Sequence, residues 1–377
     1  MKHNIIELTF SMADGGAETL VKDYSLLLDN DNFNVIVVVK RKTPSSANYK
    51  ILSENNIQII SVFSHNSLLF KVVQKLNEWW YIPFKLKRIF KSVDPEIIHI
   101  HLGLLHFLSP IYDSLKNIKL FYTCHSEPRV HLVPKKENKA AKKLITNNNL
   151  QMIALHDDMR KEINDMFVID NTVVIRNGID FNRFRNVAIT REQERAVLNI
   201  PADAFVVGHV GRFHEVKNHT FLVDVFGEVC KKNKNAFLLL VGDGALKKSV
   251  EDKLDRLGYN GRYLILSHRS DIPELMRAMD VFVFPSLYEG LGLVLIEAQV
   301  SGLRCIVSDA VPTEAFQTDL AVPVSLSEPA SKWCDIILDD SIKGVAHGNI
   351  EDYDMNKEIK RLEKLYLGEL NARIQNP

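Results

Sequence analysis

The chain has 377 residues, 46% hydrophobic and 25% charged, the balance of an ordinary soluble protein long enough for two domains. Its 47 basic and 47 acidic residues cancel, which leaves bulk nucleic-acid binding without electrostatic support. Cys124, Cys230, Cys305 and Cys334 are too scattered for a zinc site or a disulfide framework and read as reduced thiols.

The first residues run directly into a strand with no signal-peptide core, and no apolar run reaches the length of a membrane span. A cytoplasmic protein, or one peripheral at the inner face of the cell membrane, is expected. Runs rich in β-branched residues at 4–10, 33–39, 57–62, 96–101, 118–124, 151–155 and 172–175 predict strands. Helical periods fall between them, clearest at 17–28, 67–91 and 157–167. Asn177-Gly178-Ile179-Asp180 then marks a turn, and the polar stretch to about Pro201 has weak periodicity.

A second series of strands follows at 205–211, 236–241, 263–266, 281–284, 305–307 and 321–324, with helices near 219–231, 246–257, 272–278 and 291–300. Such alternation predicts an α/β fold of two Rossmann-like, doubly wound domains, at 1–180 and 190–350, facing across a cleft. The charged tail, about 351–377, is expected to be helical and to pack back on the first domain.

In the first half, Gly15 and Gly16 open a helix directly after the first strand, with Glu18 in its first turn. A glycine pair there lets the backbone approach a phosphate or a substrate oxygen, or simply makes a strand–helix turn. The third glycine of a dinucleotide fingerprint is missing, which argues against an NAD-dependent oxidoreductase. His125 falls at the end of the fifth strand, where open sheets place functional side chains. Between Lys71 and Lys91, six basic residues face one acid around Trp79-Trp80-Tyr81. Two readings of Lys75–Lys91 stand: a helix resting on anionic lipid, or aromatics in the core with lysines in water.

In the second half, Gly211 turns the chain after the first strand, and Arg212 and Lys217 project two cations over that strand end. Fixed cations suit a diphosphate, and Arg can grip one in bidentate fashion. Gly242 and Gly244 end the next strand and are consistent with a backbone wall around a nucleotide. The literal Asp-x-Asp triplets, Asp29-Asn30-Asp31 and Asp352-Tyr353-Asp354, lie away from any strand end of the second domain, so no metal is expected.

The run from Phe282 to Ala298 ties these features together. A buried strand stops at Pro285-Ser286, Gly290 and Gly292 open a helix, and Glu289 and Glu297 frame the turn, the latter two turns into the helix. Free N–H groups of a helix N-terminus favour an anion, so the stretch offers an anion site flanked by two hydroxyl acceptors, the shape of a nucleotide sugar. The plainer reading makes Glu289 a first-turn charge and Glu297 a solvated residue.

Gly15-Gly16-Ala17-Glu18, Asn177-Gly178-Ile179-Asp180, Gly211-Arg212 with Lys217, Val241-Gly242-Asp243-Gly244, and Glu289 with Glu297 together resemble the retaining glycosyltransferases of family 4, of GT-B fold. Within that family the chain is most similar to enzymes of capsular or exopolysaccharide assembly. The resemblance implies a hexosyltransferase without metal or cofactor that moves a sugar from a nucleotide-diphosphate donor to a saccharide or lipid-linked acceptor. It implies that Arg212 and Lys217 neutralise the departing diphosphate, that Glu297 holds the ribose hydroxyls and that Glu289 and His125 lie by the donor sugar. Gly16, Gly211, Gly242, Gly244 and the N–H groups of Gly290 and Leu291 would complete the donor site, with Gly15 and Glu18 on the acceptor side. A catalytically silent partner subunit of the same fold is the alternative. Gly302-Leu303-Arg304 stands where the family usually has Gly-x-Pro, and Ser308–Glu314 is without the family's common glycine pair.

Overall fold

A computed structural model describes residues 2–13, 15–63, 68–125, 128–132 and 135–370, with the backbone alone described at 68–77 and 130–131. The chain divides into two compact units, Met1–Gly178 with Met355–Pro377, and Ile179–Asp354.

The first unit holds seven parallel strands: β1 His3–Thr9, β2 Phe33–Arg41, β3 Gln58–Phe63, β4 Ile97–His101, β5 Lys119–Thr123, β6 Gln151–Ala154 and β7 Val173–Val174. Their spatial order is β3-β2-β1-β4-β5-β6-β7, so the sheet grows one way from β1 and then reverses to add β4 on its other side. Alternate residues explain the two covered faces. Ile6, Leu8, Ile36, Val38, Ile98 and Ile100 meet Leu86 and Phe90 of helix Leu68–Val93 on one face. Ile5, Val35, Ile97, Phe121 and Ile153 meet Leu20 and Tyr24 of helix Gly16–Leu27 and Ile359, Leu362 and Tyr366 of helix Met355–Leu367 on the other.

The second unit repeats the plan with six parallel strands: β8 Phe205–Val210, β9 Ala236–Val241, β10 Tyr263–Leu266, β11 Val281–Phe284, β12 Arg304–Ser308 and β13 Ala321–Val324, in the order β10-β9-β8-β11-β12-β13. β8 and β11 are neighbours although two strands separate them in sequence, which places the reversal of strand order between them. In open sheets the crevice for a ligand lies beyond the carboxyl ends of such a pair.

The boundary stretch read as weakly periodic contains helix Arg191–Val197, started by a capping box between Thr190 and Gln193. Arg304 has a structural task that accounts for its place after Gly302. Its buried guanidinium donates to the carbonyls of Ile336, Ile337 and Asp339, closing the C-terminal end of helix Ala330–Leu338.

Candidate active site

The loops after β8 and β9 are laced together by backbone. Gly211 donates to Val241 O at 2.9 Å, Phe213 donates to Asp243 O at 2.9 Å, and Leu246 donates to Phe213 O at 3.1 Å. A Cβ at Gly242 would stand 2.0 Å from Gly211 O and one at Gly244 2.5 Å from Phe213 O, so this close approach requires glycine at both positions. The His214 ring accepts from Val216 N–H to shape the turn Glu215–Lys217, and left-handed Asn218 then starts helix His219–Lys232. Leu287 N–H donates to Val216 O at 2.8 Å, which pins the loop after β11 to this turn.

That pinning brings two of the expected site residues into contact. Lys217 Nζ lies 2.5 Å from Glu289 Oε1 and 4.9 Å from the centre of the Phe284 ring, with the two charged side chains 19% and 10% exposed. Arg212 points into solvent and makes no ion pair among the described residues. The helix after β11 begins later than its periodicity suggests, at Leu293, because Gly292 is left-handed at φ +75° and interrupts the chain ahead of it. Glu289, Gly290 and Leu291 therefore belong to the connecting loop and not to the first turn. The helix's own open N–H groups start at Leu293, and half-buried Glu297 sits one turn in, not two.

Sequence reasoning missed a layer beneath Lys217. His209 in β8 packs at 4.7 Å against His219, and Phe213 stacks on His219 at 4.3 Å. Ser286 Oγ, His209 Nε2 and both His219 ring nitrogens are buried without a hydrogen-bond partner among the described residues. Burial, reinforced by the Lys217 charge, pushes the His219 ring down to about 4, so it stays neutral below the amine. The signal was a polar residue inside an apolar strand run, Val206-Val207-Gly208-His209-Val210.

In the first unit, helix Gly16–Leu27 opens directly after Gly15, and a Cβ at Gly16 would meet nothing within 4 Å. Ser11 Oγ donates to Glu18 Oε1 at 3.5 Å. Half-buried His125 follows β5 and is bonded inward, its Nε2 2.8 Å from Nδ1 of His101. His101 Nε2 is in turn 2.7 Å from Glu7 Oε2, and the Tyr366 hydroxyl donates to Glu7 Oε1 at 3.1 Å. His99 joins through Tyr366 at 2.6 Å and Thr123 at 2.7 Å. Glu7, His99 and His101 bring one donor atom each within 4.8 Å of the others, but the ring nitrogens and carboxylate oxygens are already engaged, so the cluster is a closed hydrogen-bond network. Desolvation raises the Glu7 carboxyl to about 8 and lowers the His101 ring to about 3, which keeps the pair neutral.

Helix Leu68–Val93 turns Ile82, Leu86 and Phe90 inward and Trp79, Trp80 and Phe84 outward, the last three 53%, 84% and 57% exposed. Trp79 and Trp80 are thus not core residues. Lys136 lies over Trp79 and Arg88 over Phe84. Lys75 falls among the residues whose side chains are not described. No helix among the described residues is long and apolar enough to cross a membrane.

Comparison with known proteins agrees with this architecture. The family "Glycosyltransferase Family 4" matches residues 14–183, and "Glycosyl transferases group 1" matches residues 190–317. The putative glycosyltransferase EpsF of Bacillus subtilis is 43% identical over 166 residues, which span 44% of this chain and 43% of that relative, less than half of its length. The UDP-Gal:alpha-D-GlcNAc-diphosphoundecaprenol alpha-1,3-galactosyltransferase of Escherichia coli is 27% identical over 298 residues, 75% of this chain and 73% of the relative. The crystal structure of Anabaena HepE in complex with UDP superposes with a TM-score of 0.73 at 20% identity, covering 98% of this chain and all of that one, which establishes the shared fold. With matches to the first unit and to most of the second, and with the strand order of both sheets, the chain belongs to the family 4 glycosyltransferases of GT-B fold.

Proposed function

We propose that the protein transfers a hexose, with retention, from a UDP-sugar to a saccharide or lipid-linked acceptor in surface polysaccharide assembly. One observation carries this reading: Lys217 and Glu289 pair at 2.5 Å beyond the carboxyl ends of two strands between which the sheet order reverses. That is where an open α/β sheet receives a ligand, and it holds a fixed cation suited to a diphosphate. The UDP in the HepE structure and the UDP-galactose in the name of the E. coli relative favour uridine as the base.

Glycosyl transfer leaves negative charge on the departing diphosphate. Lys217, oriented by Glu289, and Arg212 stabilise that charge, while Glu297 holds the ribose hydroxyls and the N–H groups of Gly290 and Leu291 contribute donors. The leaving phosphate assists deprotonation of the acceptor, so the chemistry needs neither a metal nor a cofactor. Trp79, Trp80 and Phe84, beside Lys85, Lys87, Arg88 and Lys91, make an aromatic and basic face suited to the anionic membrane that carries a lipid-linked acceptor.

The test is UDP release from UDP-galactose and UDP-glucose with an undecaprenyl-diphosphate-linked N-acetylglucosamine acceptor. Release that requires both donor and acceptor supports transfer. Tight UDP binding with no release from either donor would favour the silent partner subunit.

A further inference from the structure

We propose that His106 is the contact residue of a site on the first unit that holds a hydroxyl of the acceptor saccharide beside Trp79, with Glu137 as the positioning residue that fixes the tautomer of His106. The site lies just past β4, one of the two strands between which the order of the first sheet reverses. Leu102 follows that strand in the left-handed region at φ +59°, a conformation that a residue with a side chain keeps only where its surroundings hold it. The helical turn Leu105–Leu108 comes next and carries His106. Glu137, buried on helix Lys135–Asn148, secures that turn with both carboxylate oxygens: Oε2 accepts from Leu105 N–H at 3.1 Å, and Oε1 pairs with His106 Nδ1. The Trp79 ring centre lies 6.4 Å from that of His106. Glu78, its chain neighbour, bonds buried Lys40 at 3.2 Å, and the Lys40 amine lies 5.1 Å from the Phe107 ring centre. One amine thus ties the helix that carries Trp79 to the turn that carries His106.

The chemistry of the pair selects the ligand. A carboxylate only accepts, so Nδ1 of neutral His106 carries the hydrogen and Nε2 is left as a lone-pair acceptor. Among the described residues Nε2 has no hydrogen-bond partner, and the ring is half-buried, not sealed. An acceptor backed by a carboxylate repels an anion, and Lys136, 5.2 Å from the Trp79 ring centre, disfavours a cation. What fits is a neutral hydroxyl beside an apolar patch of C–H groups. A saccharide presents both, and the exposed Trp79 ring offers the apolar surface for the second. Glutamine at position 137 would reverse the pair. The Leu105 N–H can only donate and must keep the amide oxygen, so the amide N–H turns to His106, whose ring can exchange tautomers. Nδ1 then accepts, Nε2 carries the hydrogen, and the acceptor for the saccharide hydroxyl is lost.

That the saccharide is the acceptor's rests on the transferase reading, whereas the saccharide site itself does not. The test starts from the ¹⁵N spectrum of histidine-labelled protein at pH 8, with His106 assigned by its loss in His106→Ala. The parent ring should be in the Nδ1–H form and the Glu137→Gln ring in the Nε2–H form. N-acetylglucosaminyl diphosphate on a short alkyl chain, soluble without a membrane, is then added in the presence of UDP. It should move the His106 Nε2 signal in the parent and leave it in place in Glu137→Gln. In UDP release from UDP-galactose with the same acceptor, His106→Ala should raise the acceptor KM about tenfold, the worth of one hydrogen bond, and leave the KM for UDP-galactose within about twofold. A parent ring in the Nε2–H or doubly protonated form, a signal that the saccharide does not move, or an unchanged acceptor KM in His106→Ala overturns the site. If Glu137→Gln does not fold, the parent spectrum and His106→Ala decide. A moved signal with no UDP released by the parent keeps the saccharide site and overturns the transferase reading.

Discussion

Lys217 and Glu289 are joined at 2.5 Å across the line where the strand order of the second sheet reverses. The Phe284 ring lies against the amine, and neutral His219 lies in the layer beneath it. An amine held this way is oriented before any ligand arrives, which is how a fixed charge lowers a barrier without reorganisation during the reaction. Arg212, by contrast, is exposed and has its ordering still to pay for.

Lys217→Ala should therefore remove about 2–3 kcal/mol of transition-state stabilisation, roughly a 30- to 150-fold loss in kcat/KM. Initial rates of UDP release measure it. Activity within threefold of the parent would rule out a diphosphate role for this amine.

Gly242 and Gly16 make opposite predictions about alanine. At Gly242 the new Cβ would press on Gly211 O, a backbone atom that no rotamer change can move, so Gly242→Ala should destabilise the second unit by about 1–3 kcal/mol. At Gly16 the Cβ meets nothing within 4 Å, and alanine suits a helix start, so Gly16→Ala should leave thermal stability within about 0.5 kcal/mol. If Gly16→Ala keeps its melting temperature and loses donor affinity, the glycine serves the ligand. If it keeps both, the pair Gly15-Gly16 is only a strand–helix turn.

The alternation of strands and helices was readable because sheets covered on both faces leave long apolar runs, and most strand bounds fall within a residue or two of the runs in the sequence. Helix Lys135–Asn148 was not readable: its lysines overwhelm a thin apolar stripe of Ala140, Ala141 and Leu144. Helix Arg191–Val197 left a usable trace in Thr190 and Gln193, a capping pair that hydropathy ignores. In the site, Lys217 and Glu289 stood out because both follow apolar runs. Glu7, His99 and His101 did not, because each lies inside such a run, and the contact between Glu7 and His101 exists only once β1 and β4 are neighbours.

The exposed pair Trp79 and Trp80 offers a test independent of catalysis. Co-sedimentation with vesicles containing phosphatidylglycerol should fall by about tenfold or more on replacing both with alanine, each ring contributing of the order of 1 kcal/mol at the interface. Raising the salt should weaken binding through Lys85, Lys87, Arg88 and Lys91. Sedimentation that ignores both changes would leave this face without a membrane role.

The buried carboxyl also sets a pH dependence of stability. Glu7 holds its proton up to about 8 in the folded chain and releases it near 4.5 when unfolded. Between those values the folded state binds more protons, so stability falls as pH rises through the window and levels off above it. His101 acts from the other side: it stays neutral down to about 3 when folded and takes a proton near 6.5 when unfolded, which costs stability as pH falls below 6.5. Between pH 6.5 and 8 only the Glu7 member of the pair contributes. Over that interval the parent should lose up to about 1.4 kcal/mol per pH unit relative to Glu7→Gln, which has no proton to release. Urea unfolding at pH 6.5, 7.2 and 8 measures the difference, and curves that stay parallel would show that Glu7 is ionised in the folded protein throughout.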